Sequence, residues 1–365
     1  MIDSSRQEAP LGHGQTLRGL WDAARSERLP HALLFHGPEG IGKYRAARWF
    51  AQGLLCEQGP CEPCLVCGSC RRVSANSHPD MFLVDPAAEG QDSMTVHFIA
   101  NRKDKPKTAY QGPSIEDFGR LVADEGGWRI ACLREVDSMN DSAQNAFLKA
   151  LEEPGDDMLL LLTTAKPDVL RQTIRSRTIS VDLHSLTQAE TLTVLKSIAG
   201  EAPGLDSAMS REALARWSQG APGKAMTLAR RAGLPMRDIV QAVAAGSLDP
   251  QEAGERFWDL EGEFPGKTPA AERRTQAVAL MDVALEWLLD GLRQAALVPS
   301  PSLAHGDALE ALEDVSPNDM NDCMDRILQA RQDVALNLNP EVLSERVLRS
   351  LNALSNQAAA QGAGL

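Results

Sequence analysis

Residues 36–44 read HGPEGIGKY and contain most of a phosphate-binding loop of the form G-x-x-x-x-G-K-[ST]. The residues that could hold phosphate are Gly37, Gly40, Gly42 and Lys43. In a working loop, backbone N–H groups and the lysine hold the phosphates, and a Ser or Thr hydroxyl binds Mg²⁺. Tyr44 occupies that last position. Because the tyrosine hydroxyl lies at the far end of a ring, it cannot replace a Thr Oγ, and we predict that this metal ligand is lost.

A second magnesium ligand is expected after the apolar run IACL, where a working site of this type has Asp-Glu. Arg134 and Glu135 follow that run instead, so a cation occupies the place of the metal-binding carboxylate. Without metal, charge on the transferring phosphoryl group is uncompensated, and we predict no intrinsic ATP hydrolysis. Weak nucleotide or phosphate binding at Lys43 stays open. The alternative is that the glycines serve only a tight strand-to-helix turn.

A cluster of five cysteines lies between residues 56 and 70. Such short spacings in an intracellular protein are typical of tetrahedral zinc sites, with disulfides or unrelated thiols as the alternative. Three consecutive C-x₂-C spacings would make a tight cage, whereas a more distant first ligand lets the chain wrap around the metal. The geometry therefore favours the set without Cys61. That set is Cys56, Cys64, Cys67 and Cys70. All-cysteine ligation predicts a structural rather than catalytic site.

Composition and charge are those of an acidic globular protein. The chain has 365 residues, enough for two or three domains, and 43% of them are hydrophobic. Its net charge of −13 argues against a strongly basic nucleic-acid binder, so any DNA contact must come from a local patch. The N-terminus lacks a secretory core and no apolar run reaches about 18 residues, so we expect a cytoplasmic protein without a membrane span.

One local basic patch lies at residues 101–107, where Arg102, Lys103, Lys105 and Lys107 surround a single acidic residue, Asp104. A solvated loop is the simpler interpretation, and a phosphate-contacting loop is the alternative. The sequence leaves the role of this loop open.

The pattern of apolar residues predicts a parallel sheet with helices. Apolar runs at 31–36, 78–86, 128–133 and 158–164 are typical of buried strands. Between the last two, apolar residues recur at the spacing of one helix face until Pro154 and Gly155 end the pattern. This alternation predicts an α/β sheet with helices on both faces. Beyond about residue 183 only helical patterns remain.

Several motifs in one order resemble those of bacterial clamp-loader subunits, which are AAA+ proteins of the DNA polymerase III holoenzyme. They are the phosphate-binding loop, the cysteine cluster, HPD (78–80), NAFLKALEEP (145–154) and TIRSRT (173–178). The resemblance is dense over about residues 30–180, and it returns at GAPGKAM (220–226) and NLNPEVLSERVLRSL (337–351). Within this family the motifs are most similar to those of the delta-prime type.

The resemblance implies roles for individual residues. It implies that the set of four cysteines without Cys61 is a zinc cage, in agreement with the spacing argument. The family's Ser-Arg-Cys motif carries an arginine finger that reaches a neighbouring subunit's ATP site. Here the motif reads Ser-Arg-Thr, so Arg177 is the expected finger although Thr178 replaces the cysteine. Active members also carry a sensor arginine in G-x-x-R, and Gly223 occupies that position here.

The resemblance also implies the domain organisation. We expect an α/β AAA+ module with a zinc-binding insertion at 56–70, spanning residues 1–182. A small helical lid domain at 183–229 and an all-α C-terminal collar domain at 230–365 are expected to follow. The amphipathic helices of the last region suit subunit packing, and they equally suit a self-contained helical domain.

The function implied by the resemblance is that of a non-hydrolysing stator subunit of the clamp loader. Such a subunit assembles with gamma/tau-like ATPase subunits and a delta-like subunit, as part of the DNA-directed DNA polymerase III holoenzyme, to load the sliding clamp onto primer-template DNA. Its expected cofactor is zinc, with ATP weak or absent at its own site. The alternatives are an active gamma/tau-like ATPase with unusual magnesium ligation, and a zinc-bearing DNA-binding module that works alone.

Overall fold

The chain forms two compact units, residues 1–187 and residues 188–365. The computed structural model describes residues 9–102, 106, 109–125, 127–155, 157–299 and 303–362. Of the basic patch, Lys103, Lys105 and Lys107 lie outside the described residues, and Arg102 is exposed. Within the described part of the chain, no helix is both long enough and apolar enough to cross a membrane. A further division of the second unit near residue 230 stays a prediction.

The first unit is built on a five-stranded sheet with the order β2-β3-β4-β1-β5, and all its neighbouring strands are parallel. The strands are β1 (Ala32–His36), β2 (Met81–Val84), β3 (Arg129–Leu133), β4 (Met158–Thr164) and β5 (Ile179–Asp182). Every residue of β3 and β4 is buried, as expected for central parallel strands covered on both faces. The four strands predicted from apolar runs are confirmed, with β2 shorter than its run.

Helices cover both faces of this sheet. They are α1 (Gly14–Arg25), α2 (Lys43–Leu54), α3 (Gly68–Ser74), α4 (Val96–Ile99), α5 (Ile115–Gly119), α6 (Asp141–Glu152) and α7 (Gln172–Arg175). On one face Phe35 of β1 packs against Phe50 of α2, with ring centres 6.5 Å apart. On the other face Leu34 belongs to the same core cluster as Phe147 of α6. Successive strand residues point to opposite faces, so β1 contacts both helical layers.

The second unit is helical throughout its described residues apart from connecting segments. Its helices are α8 (Gln188–Ser197), α9 (Ala208–Trp217), α10 (Pro222–Arg230), α11 (Gly233–Ala244), α12 (Pro250–Trp258), α13 (Pro269–Ala295), α14 (Pro317–Ala335) and α15 (Pro340–Gly362). Leu280, Met281 and Trp287 are buried on α13, and Leu343, Val347 and Leu351 are buried on α15. The predicted change from an α/β region to an all-α region is therefore confirmed.

Candidate functional site

The phosphate-binding loop joins the end of β1 to the start of α2, which is the strand, loop, helix context that the motif requires. Gly37 and Gly42 have φ angles of +145° and +94°. A Cβ atom on Gly37 would lie 2.0 Å from the carbonyl oxygen of Leu183, so only glycine fits there. The loop thus keeps the backbone shape that directs N–H groups of a helix N-terminus toward an anion.

The lysine of this loop is turned back onto the loop itself. Lys43 Nζ donates to the carbonyl oxygens of Gly37, at 3.0 Å, and Pro38, at 2.7 Å. Burial lowers the pKa of Lys43, while the nearby carboxylates of Glu39, Asp137 and Glu135 favour its charged form. A phosphate entering the loop must therefore compete with two carbonyl oxygens for this ammonium group.

The two positions expected to hold magnesium are brought together by the parallel sheet. The guanidinium of Arg134, just after β3, lies 5.5 Å from the centre of the Tyr44 ring at the start of α2. It also forms ion pairs with Asp85, at 2.9 Å, and Glu135, at 3.3 Å. Burial alone would lower the pKa of Arg134, but Asp85 and Glu135 more than offset this, and the pKa lies above its ordinary value. A fixed positive charge therefore lies where the metal-binding carboxylate was expected.

The sequence analysis missed three polar residues at this edge of the sheet, which are Asp85, Asp137 and Thr164. Asp85 follows β2 directly and receives the hydrogen bond from Arg134. Thr164, the last residue of β4, donates from Oγ1 to Asp137 Oδ1 at 2.7 Å. Their signal in the sequence is only a polar residue at the carboxyl end of a strand, which is where open α/β sheets collect their ligand-binding residues.

The four cysteines favoured as metal ligands lie together. The sulfur atoms of Cys56, Cys64, Cys67 and Cys70 are all within 4.8 Å of one another. The Sγ atoms of Cys64 and Cys70 are 4.0 Å apart. A tetrahedral zinc site with Zn–S bonds of about 2.3 Å places its sulfur atoms about 3.8 Å apart, so the cage fits such an ion with little adjustment. Cys61 is outside this set of four.

The thiols of the cage differ in how readily they ionise. Backbone N–H groups of Val66 and Cys67 donate to Cys64 and lower its pKa to about 6. Burial raises the pKa of Cys70 instead. A soft divalent metal binds thiolates, so Cys64 is already in the form that coordinates, whereas Cys70 must lose its proton on metal binding.

Helix α2 attaches the cage to the body of the unit. Gln52 Nε2 donates to the carbonyl oxygen of Cys70 at 2.9 Å, and Arg48 Nη2 donates to that of Val73 at 2.7 Å. On the opposite side, buried His78 of the HPD motif pairs through Nε2 with Ser69 Oγ at 2.9 Å. The cysteine module is therefore fixed by the same helix that begins at the phosphate-binding loop.

Arg177 lies on the surface between α7 and β5. Its Nη2 atom is 2.7 Å from Glu152 Oε1 at the end of α6, and its Nη1 atom donates to the carbonyl oxygen of Thr173 at 3.1 Å. The Arg177 side chain is 38% exposed. Thr178, which replaces the cysteine of the family motif, is buried. The guanidinium is thus accessible while the following residue belongs to the core.

Comparison with known proteins shows what the first unit is similar to. The family model described as "DNA polymerase III, delta subunit" matches residues 12–187. DNA polymerase III subunit delta' of Bacillus subtilis is 32% identical over 163 residues, which is 45% of this chain and 45% of the relative. Residues 12–187 thus resemble the delta-prime family of clamp-loader subunits.

More distant relatives extend beyond the first unit. DNA polymerase III subunit tau of Escherichia coli is 29% identical over 319 residues, covering 83% of this chain and 45% of that protein. The solved structure of a gamma subunit-related protein from Thermotoga maritima is 17% identical with a TM-score of 0.49, covering 92% of this chain and 99% of the other. The matched region thus spans less than half of either curated relative.

These findings confirm the resemblance to the delta-prime clamp-loader family. The structure confirms the predicted fold class at the level of a parallel α/β module followed by a helical region. The zinc content of the cage and the role of Arg177 stay predictions. Gly223, the position of the missing sensor arginine, is the second residue of α10. The next residue, Lys224, is a cation, but its Nζ atom forms an ion pair with Glu286 at 2.9 Å within the second unit.

Proposed function

We propose that this chain is a clamp-loader subunit that does not hydrolyse ATP at its own site and supplies Arg177 to the ATP site of a neighbouring subunit. The observation that carries the proposal is the contrast between two arginines. Arg134 is paired with Asp85 at the magnesium positions of the chain's own site. Arg177 is exposed on the surface.

The absence of hydrolysis follows from charge. Phosphoryl transfer depends on a metal ion that bridges the phosphate oxygens and neutralises developing charge. Arg134 and Tyr44 fill the positions where that ion's ligands were expected, and Lys43 is bonded to loop carbonyls. A guanidinium can bind phosphate but cannot lower the pKa of a bound water as a metal does. The chain's own loop therefore binds nucleotide weakly or not at all.

The role of Arg177 follows from the same chemistry applied in trans. A guanidinium delivered to a transferring phosphoryl group increases the rate roughly 10³–10⁵-fold in GTPase systems. A planar guanidinium with five donors suits this task better than an ammonium group. A subunit without its own activity can thus control the activity of its neighbour.

The cysteine cage is proposed to hold zinc as a structural ion. Four thiolates complete a tetrahedral site and leave no open position for a substrate or water. The ion would join the loop that carries Cys56 and Cys64 to helix α3, which carries Cys70. It would thereby stabilise the module held by α2, with no step of phosphoryl transfer assigned to it.

The proposed partners are gamma/tau-like ATPase subunits and a delta-like subunit, together with the sliding clamp and primer-template DNA reached through the assembly. We assign residues 183–229 to a lid domain and residues 230–365 to the collar that packs against other subunits. The alignment with tau, which covers 83% of this chain, supports this assignment. The chain's net charge of −13 argues against a DNA-binding role for the isolated chain.

The test is the ATPase activity of the reconstituted loader. Arg177→Ala is expected to lower turnover at the neighbouring site by more than about ten-fold, since the transition-state charge loses its cation. Arg175→Ala is the matched control, because Arg175 lies two residues away and pairs with Asp168 on the same surface. The isolated chain should be inactive. Unchanged turnover with Arg177→Ala in an intact complex would reject the finger, and hydrolysis by the isolated chain would favour an active ATPase.

A further inference from the structure

The segment that carries Arg177 is attached to helix α6 at both ends of that helix. Arg171 contacts the first turns of α6, with Nη2 at 3.0 Å from Asp141 Oδ1 and Nη1 donating to Asn145 Oδ1 at 2.9 Å. Arg177 contacts the last residue of α6, Glu152, at 2.7 Å. Residues 171–177 therefore run along α6, and the exposed guanidinium is held by the helix's C-terminal carboxylate.

The contacts of Arg177 use two of its donors and leave the others available. Nη1 donates to Thr173 O and Nη2 to Glu152 Oε1, so the two terminal nitrogens are anchored to different elements. A guanidinium has five N–H groups, which leaves three for an incoming phosphate. The plane of the guanidinium is thus defined by two anchors before any partner arrives.

Glu152 is well placed for this task for an electrostatic reason. It is the last residue of a twelve-residue helix, where the unpaired carbonyl groups give a partial negative charge. Its carboxylate and the helix end attract a cation together, which favours Arg177 near this position. Glu153 is also exposed, and its side chain has no hydrogen bond or ion pair within the described part of the chain.

We infer that Glu152 is a positioning residue that orients the Arg177 guanidinium for delivery to a neighbouring subunit's phosphate, an inference that rests on the proposed function above. An unanchored arginine loses rotamer freedom when it reaches its target, and this entropy opposes the reaction. Glu152 and Thr173 restrict that freedom in advance, so the contact acts by preorganisation. Glu152 itself touches no phosphate.

The exposure of the pair sets the size of the effect. Glu152 and Arg177 are 53% and 38% exposed, so the pair is weakened by solvent. Exposed pairs of this kind are weak. Loss of the pair is expected to change the population of the paired Arg177 orientation by about two- to five-fold. A pair of this strength favours one orientation of the guanidinium and leaves its remaining donors available to a phosphate.

The experiment uses the reconstituted loader with five variants of this chain, including Arg177→Ala alone. Glu152→Ala is expected to lower kcat for ATP about two- to five-fold with little change in KM, since nucleotide binding does not involve the pair. Glu152→Gln, which keeps an amide oxygen as acceptor, should recover part of the loss. Glu153→Ala is the matched control and should match wild type. Glu152→Ala combined with Arg177→Ala should equal Arg177→Ala alone, because the carboxylate acts only through the guanidinium.

The outcomes separate this inference from the proposed function. If Arg177→Ala itself leaves turnover unchanged, the finger assignment fails and Glu152 has nothing to position. If Arg177→Ala lowers turnover but Glu152→Ala does not, only the positioning role is overturned. Additive losses in the double variant would also overturn it, since they would indicate an effect of Glu152 that is independent of Arg177. Thermal unfolding of each variant checks that the fold is retained.

Discussion

The guanidinium of Arg134 lies over the ring of Tyr44, 5.5 Å from its centre. The sequence predicts that these two residues replace the magnesium ligands of a working site, and the structure brings the two into contact. A cation over an aromatic face is attracted by the ring's quadrupole. The charge of Arg134 at this position is balanced within the chain by Asp85.

Loss of Arg134 should destabilise the first unit. Arg134→Ala leaves Asp85, whose side chain is 16% exposed, without its ion-pair partner. We expect a decrease in unfolding free energy of about 1–3 kcal/mol, measured by urea unfolding. Arg175→Ala removes a far more exposed ion pair, with Asp168. This variant should change the unfolding free energy by less than about 1 kcal/mol. Equal effects for the two variants would contradict the structural role of the Arg134–Asp85 pair.

Any nucleotide binding at the loop should be independent of magnesium. With Tyr44 and Arg134 in place of metal ligands, Mg²⁺ has no site through which to raise affinity. Titration with a fluorescent ADP analogue in Mg²⁺ and in EDTA should give equal affinities, and Lys43→Ala should weaken whatever binding is found. An affinity that rises with Mg²⁺ would show that the site retains metal ligands.

The four-cysteine cage should bind one equivalent of zinc. Cys64→Ser removes a ligand from the group and should abolish the bound metal, whereas Cys61→Ser should retain it, since Cys61 is outside the group. Metal content by elemental analysis checks this directly. Removing the metal with a chelator should lower the thermal midpoint of the first unit, by about 2–4 °C for each kcal/mol lost. Metal loss in Cys61→Ser would mean that the ligand set is different.

The second unit should lose stability in mild acid because of His305. Burial lowers the pKa of His305 to about 3, with Arg237 and Lys224 opposing protonation and Asp307 favouring it. Neither ring nitrogen has a hydrogen-bond partner among the described residues. Below the ordinary pKa of about 6.5 the unfolded chain binds a proton that the folded chain excludes, so stability falls with pH through this range.

The expected loss between pH about 7 and pH about 5 is about 2 kcal/mol from this group alone. His305→Phe should remove that dependence, because the ring then has no proton to bind. Unfolding in urea, followed by tryptophan fluorescence, includes the signal of Trp217, whose ring centre lies 4.5 Å from that of His305. His184→Gln is the control, because the His184 side chain is 82% exposed. This variant should keep the wild-type dependence of unfolding free energy on pH. If unfolding free energy depends on pH in His305→Phe as it does in wild type, the acid sensitivity comes from other groups.

Most of the sheet was predictable because central parallel strands are buried on both faces and read as continuous apolar runs. Strand β5 was not predicted. It pairs only with β1 at the edge of the sheet, and three of its four residues are exposed, so its sequence carries no apolar run. Helix α6 was predictable because its buried residues Ala143, Phe147 and Leu151 recur at helical spacing.

The sequence alone determined which chemical groups the chain has at each motif: tyrosine and arginine at the magnesium positions, four cysteines at cage spacing, and an arginine in TIRSRT. Which groups meet was decided by the tertiary structure. Arg134 pairs with Asp85, 49 residues earlier, because β2 and β3 are parallel neighbours whose carboxyl ends lie together. Arg177 meets Glu152, 25 residues earlier, because α6 and the segment before β5 lie side by side. Such pairs depend on how strands and helices pack, and local residue patterns do not encode them.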